Sequence, residues 1–144
     1  EVLGGELGTV VGLLAGLVAV IGHMYPVFAS FEGGKGVTIA AGMLFALAPL
    51  TMALTLGVFA AVLLIGRYVS LASISAAIAF PILVALRRYA LDAPIDVSLL
   101  VFGAVLALAI VVAHRSNIKR LFNGTESRIS SFQPAQGMRG RGEL

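Results

Sequence analysis

From residue 3 to residue 113 the chain is a series of apolar runs separated by short polar stretches. Thr9 to Ile21 carries no charge, and counted from Leu3 the segment is long enough to cross a bilayer as a helix. Gly12 and Gly16 lie four apart within it, a spacing that lets helices approach closely in lipid. Val37 to Ile65 follows, 29 residues without a charge. As one helix it would measure roughly 44 Å against a hydrocarbon core of about 30 Å. Pro49 lies inside it, so the pattern predicts a break there. The first half, about 18 Å long, does not cross alone unless neighbouring protein buries its ends. Thr51 to Gly66 makes the second helix and Val69 to Leu86 the third, kinked at Pro81. A polar turn from Tyr89 to Asp96 precedes the last apolar helix, Ile95 to Ala113. The fold class predicted is all-α, a polytopic membrane helix bundle of about five helices.

Composition agrees with this pattern. The 144 residues are 59% hydrophobic and 12% charged, about half the charge of a soluble domain. So little charge cannot cover a water-facing surface, which points to an integral membrane protein. The absence of cysteine excludes disulfides, thiol nucleophiles and Cys-ligated metals. Two histidines far apart in sequence make a poor metal set, so neither metal nor cofactor is expected. The net charge of +3 lies mostly outside the apolar runs. It suits anionic headgroups or substrates better than nucleic acid, because the basic residues are few and not interleaved with aromatics. After Ser130 apolar periodicity stops. Residues 1–128 are read as the membrane domain and 129–144 as a disordered basic tail touching anionic lipid. No internal repeat is present, which weighs against common transporter architectures.

Charge also constrains topology. Lys35 and the Arg115 to Arg120 cluster both belong on the cytoplasmic side by the positive-inside bias, so an even number of crossings must separate them. The break at Pro49 supplies the fourth. The same count puts Arg67 inside and, against the bias, Arg87 and Arg88 outside.

Three polar stretches carry candidate chemistry. Gly33-Gly34-Lys35-Gly36 sits just before a helix start. It is not a P-loop, since Ala29 stands at the first glycine position and Gly36 replaces the magnesium-holding hydroxyl residue. It reads either as a flexible loop with a snorkelling lysine or as an anion cradle aided by the free N–H groups of the next helix. The second stretch, His114 to Glu126, is either a basic membrane flank or a site in which His114 and Asn117 share a helix face. In the third, Arg67, Ser70 and Ser73 open a helix on the same side and could line the same pocket, but on these residues alone a cap with an interfacial belt is the preferred reading.

Together these stretches resemble the bacterial membrane-bound acyl-phosphate:glycerol-3-phosphate acyltransferases, the PlsY family. That family carries a motif of the form GHxxPxFxxFxGGKGVAT, and residues 22–39 read GHMYPVFASFEGGKGVTI. Thr38-Ile39 replaces Ala-Thr, so a threonine contact at position 39 would be lost, with Thr38 able to supply a nearby hydroxyl. A second motif, HRxNIxRLxxGxE, matches His114 to Glu126 without exception, and RYVSLAS from Arg67 to Ser73 is also similar. An upstream motif, SGNxGAxNxxR, has no counterpart, so its serine and arginine cannot be placed. The chain resembles the last five of the family's seven helices. The expectation is that an N-terminal portion is absent from this sequence, the alternative being an inactive remnant.

The resemblance implies acyl transfer from acyl-phosphate to the primary hydroxyl of glycerol 3-phosphate, giving lysophosphatidate and phosphate. The donor is already activated, consistent with a chain lacking cysteine and a metal set. His114, Asn117 and Lys35 are the implied catalytic residues, with His114 as general base or as an orienting group. A helix C-terminus would favour its charged form and weaken it as a base, and a substrate phosphate oxygen could take the proton instead. Gly33, Gly34, Gly36, His23, Arg67, Ser70, Ser73 and Arg115 are the implied substrate-binding residues, and Glu126 is structural. The implied partners are glycerol 3-phosphate, a long-chain acyl-phosphate, membrane lipid and the soluble enzyme that makes acyl-phosphate. The implied location is the bacterial inner membrane, with the site facing the cytoplasm. A non-enzymatic carrier or helical subunit is the rival, and it expects the polar stretches to lie apart. An acyl-CoA enzyme with an HxxxxD motif is disfavoured, because Phe28 and Lys119 occupy the fifth positions after the two histidines.

Overall fold

The structure, a computed structural model, describes residues 6–25 and 34–130. Among these lie six helices: α1 (Glu6–Met24), α2 (Val37–Leu47), α3 (Pro49–Gly66), α4 (Val69–Tyr89), α5 (Val97–Ala113) and α6 (Arg115–Phe122). Five are apolar, as the pattern predicts. Gly33 and most of the expected tail lie outside the described residues.

The break in the long apolar run falls at Ala48, whose backbone leaves the helical region (φ −145°, ψ 67°). Ala48 N closes α2 on the Leu44 carbonyl at 2.8 Å, and the Ala48 carbonyl opens α3 by accepting from Met52 N at 2.9 Å. Pro49 takes the first position of α3, where a missing N–H costs nothing. α4 continues through Pro81 as one helix to Tyr89, three residues beyond the expected end. Asp96 caps α5, accepting from Ser98 N at 2.7 Å. Past Ala113 the helix does not run on straight. α5 and α6 meet at 60°, and the polar α6 departs with Lys119 and Arg120 in its last turn.

α3 and α4 are long and apolar enough to cross a membrane, and α5 with α6 makes a bent third candidate. α2, with 11 residues, is only about 16 Å long and needs the bundle around it. α4 packs between α3 and α5, while α2 lies between α1 and α3. The α1–α2 contact uses the two glycines: a Cβ on Gly16 would collide with Met43, and one on Gly12 would sit 3.4 Å from Leu47. Leu44, Met52, Phe80, Val84, Leu106 and Ile110 fill the core. Large apolar side chains face outward, including Leu64 at 64% and Leu108 at 66% exposure, a surface suited to lipid rather than water.

Four apolar helices, α2 to α5, separate Lys35 from His114, and the chain returns both to one end of the bundle. Arg87 and Arg88 occupy the other end. Arg87 Nη1 donates to the fully buried Thr51 Oγ1 at 2.6 Å, and Arg88 donates to the Ile95 carbonyl. These two arginines fasten α4 to α3 and to the turn before α5, which gives them a structural reason to sit opposite Lys35.

Candidate functional site

The site is assembled where α2, α4 and α6 begin and α5 ends. Gly36 precedes α2 in the left-handed region (φ 75°) and is buried. A Cβ there would lie 2.9 Å from Val20 Cγ1, so both conformation and space require glycine. Gly34 is needed for a different reason: a Cβ would collide with His23 Nε2, because the imidazole lies directly on this backbone. The loop thereby presents Lys35 beside the first turn of α2. Lys35 Nζ donates to Asn117 Oδ1, a contact between residues 82 positions apart.

Asn117 is buried, and its other amide end, Nδ2, donates to Glu126 Oε1 at 2.7 Å. Glu126 also accepts from Ser70 Oγ at 2.6 Å and from Arg120 Nε at 2.7 Å. Ser70, Asn117 and Arg120 together hold the Glu126 carboxyl down to about 2, so it remains an acceptor throughout the physiological range. This clasp ties the segment after α6 to α4. The segment then crosses the mouth of the pocket. Arg128 Nε donates to Tyr68 Oη at 2.7 Å with its guanidinium 4.8 Å from the ring centre. Ile129 N donates to the Arg67 carbonyl at 2.9 Å.

His114 stands at the α5–α6 bend and is 3% exposed. Its Nδ1 lies 2.8 Å from the Ile110 carbonyl. A carbonyl only accepts, so Nδ1 carries the hydrogen and the neutral ring keeps its lone pair on Nε2.

Lys35, Ser70, Ser73, His114, Asn117 and Glu126 line one open pocket, with Gly34 at its edge. Gly36 caps the adjoining helix and His23 supports Gly34 from outside. Arg67 and Arg115 are both exposed and absent from the pocket wall. Arg67 contributes its carbonyl to the strap, and Arg115 reaches back to the Val112 carbonyl at 3.4 Å. Thr38 lines the pocket while Ile39 packs against the core, so the hydroxyl stands one position earlier than the family motif places it. Phe59, Arg128 and Ile129 also line the wall. Sequence reading missed them because each lies outside the motifs.

Below the polar pocket lies a narrow apolar cavity of about 40 Å³ among α2, α3, α4 and α5. Val37 and Ser73 line both spaces, so the two adjoin. Among the described residues no cluster of three or more His, Cys, Asp or Glu could hold a metal.

These features define a polytopic helical membrane protein with a polar pocket at one end of the bundle and an apolar cavity beneath it. Residues 2–124 match the glycerol-3-phosphate acyltransferase family, and the chain belongs to that family. It is 73% identical over all 144 residues to a glycerol-3-phosphate acyltransferase of Salinibacter ruber, covering 63% of that protein. It is 48% identical over 134 residues, 82% of this chain, to that of Chlorobaculum tepidum, covering 58% of it. The chain thus spans about three-fifths of the length of these curated relatives. Among solved structures it resembles PlsY (YgiH), an integral membrane glycerol 3-phosphate acyltransferase, in its glycerol 3-phosphate form. The TM-score is 0.71 at 40% identity, over 81% of this chain and 56% of that one. The lysphosphatidic acid form of the same protein matches equally well, with 57% of that chain covered.

Proposed function

We propose that the protein transfers an acyl chain from acyl-phosphate to the primary hydroxyl of glycerol 3-phosphate, yielding lysophosphatidate and inorganic phosphate. One observation carries the reading. Lys35, Asn117 and His114, drawn from distant parts of the chain, meet in one pocket that borders an apolar cavity. A carrier or structural subunit has no need for that convergence.

The phosphate of glycerol 3-phosphate rests on the Gly33–Gly36 loop and the free N–H groups opening α2, with the Thr38 hydroxyl adjacent. Lys35, oriented by Asn117, offsets the charge that develops on the carbonyl oxygen of the donor. The hydroxyl oxygen attacks the carbonyl carbon as His114 Nε2 takes its proton. The C–O bond to phosphate then breaks and phosphate departs with the bonding pair. Clasped by Ser70, Asn117 and Arg120, Glu126 positions Asn117 and does not touch substrate. The pocket faces the cytoplasm of a bacterial inner membrane, where a soluble enzyme supplies acyl-phosphate. Residues 1–128 form the membrane unit, and the basic tail beyond it contacts anionic lipid.

The test is lysophosphatidate formation by the purified protein in lipid vesicles, with acyl-phosphate or acyl-CoA offered separately and the intact mass recorded. Turnover with acyl-phosphate alone supports the reading. Equal turnover with acyl-CoA overturns the donor assignment. No turnover from a preparation whose mass includes an upstream SGNxGAxNxxR segment overturns the acyltransferase assignment.

A further inference from the structure

Acyl transfer from acyl-phosphate to glycerol 3-phosphate brings two phosphate groups into one pocket. Each carries a charge of about −1.5 to −2 at neutral pH. In the reading above, the Gly33–Gly36 loop beside Lys35 receives one of them. The other needs donors of its own, and the wall already holds the Glu126 carboxylate, whose charge opposes any anion beside it. Among the described residues, Lys35 and Arg128 are the only lysine and arginine in that wall.

Arg128 is exposed, yet it is held in place rather than trailing from the surface. Glu126, two residues earlier, is clasped by Ser70, Asn117 and Arg120. Ile129, one residue later, donates its N–H to the Arg67 carbonyl at 2.9 Å. The backbone is therefore fastened on both sides of Arg128. The side chain is fastened as well: Nε donates to Tyr68 Oη at 2.7 Å, and the guanidinium lies 4.8 Å from the centre of the Tyr68 ring. That bond uses one of the five N–H donors of the group. The two Nη groups make a fork that matches two oxygens of a phosphate. Lys35 is tied to α6 through Asn117, and Arg128 to the start of α4 through Tyr68. The two cations are thus anchored on different elements of one pocket.

We propose that Arg128, oriented by Tyr68, is a substrate-binding residue that grips a phosphate group at the pocket mouth. The inference rests on the acyltransferase reading above. The chemistry it recognises, a phosphate dianion, belongs to both substrates and to the released inorganic phosphate. Its grip is the same before and during reaction, so it is read in KM and in phosphate inhibition rather than in kcat.

The test compares the native protein in lipid vesicles with folded Arg128→Gln, Arg128→Lys and Tyr68→Phe variants, their unfolding midpoints recorded. The KM for each substrate at saturating partner, kcat, and inhibition by inorganic phosphate are measured. Arg128→Gln raises one KM about tenfold, the low end for a hydrogen bond to a charged group. It weakens phosphate inhibition by a similar factor and leaves kcat within about twofold. A raised KM for acyl-phosphate assigns the grip to the donor, and a raised KM for glycerol 3-phosphate assigns it to the acceptor. Arg128→Lys keeps the charge and recovers part of the loss. Tyr68→Phe keeps both the arginine and the ring, and raises the same KM only about threefold. Unchanged KM values and phosphate inhibition in Arg128→Gln overturn the inference. So does a Tyr68→Phe effect as large as that of Arg128→Gln, since the arginine would then only pin the strap. Absence of turnover in the native protein overturns the acyltransferase reading instead.

Discussion

Asn117 is the keystone of the pocket, and its removal has a calculable effect. The side chain is 6% exposed. It takes the Lys35 ammonium on one side and gives its own amide to Glu126 on the other. Asn117→Ala removes both bonds at once. A hydrogen bond to a charged group contributes about 1.5–3 kcal/mol. Lys35 is half-buried at an open pocket and Glu126 keeps Ser70 and Arg120, so both losses fall at the low end, about 1.5 kcal/mol each. The expected fall in stability is about 3 kcal/mol, and the Lys35 share alone lowers kcat/KM for glycerol 3-phosphate about tenfold. A double-mutant cycle with Lys35→Met separates this from general damage. Unfolding midpoints in one detergent and kcat/KM at saturating donor are measured for the native protein, both single variants and the double. A coupling near 1.5 kcal/mol is expected. Single effects that add to within 0.5 kcal/mol would show that the two residues act independently and refute the reasoning.

Three further outcomes follow from the geometry. His114→Gln removes the Nε2 acceptor and cuts kcat by about 100-fold or more; an unchanged kcat contradicts the base assignment. Gly36→Ala forces a side chain into the left-handed region and against Val20, at about 1–2 kcal/mol for the backbone alone, so a lowered unfolding temperature is expected and an unchanged one would be inconsistent. Arg87→Met leaves the fully buried Thr51 hydroxyl without its donor and lowers stability by about 1 kcal/mol. It leaves kcat within threefold, since Arg87 lies at the far end of the bundle; a large kcat loss would contradict the two-ended arrangement.

Much of this architecture is legible in the sequence because lipid leaves a chain few options. Uncharged runs must become helices, and Pro49 can only begin a new one. The positive-inside parity then returns Lys35 and His114 to one end. The 60° bend at His114 is not legible, since residues 114–122 carry no helix breaker. The turn falls at His114, whose backbone (φ −93°, ψ 8°) leaves the helical values between α5 and α6. The charges of Arg67 and Arg115 suggest pocket residues, yet both side chains are exposed and only their neighbours face inward. The Arg128–Tyr68 pair brings together residues 60 positions apart, a relation that local pattern does not encode. The cavity is equally silent in sequence, because Ala40, Ala76 and Ala107 read as ordinary helix positions until four helices are assembled around them.

The central claim is that one anion-binding pocket at the end of the bundle depends on Lys35. Titration calorimetry of glycerol 3-phosphate into the purified protein in lipid nanodiscs, beside the Lys35→Met variant, addresses it most directly. The account predicts saturable binding to the native protein and at least tenfold weaker binding to the variant. Equal affinity in the two, or no binding to a folded native protein, would contradict it.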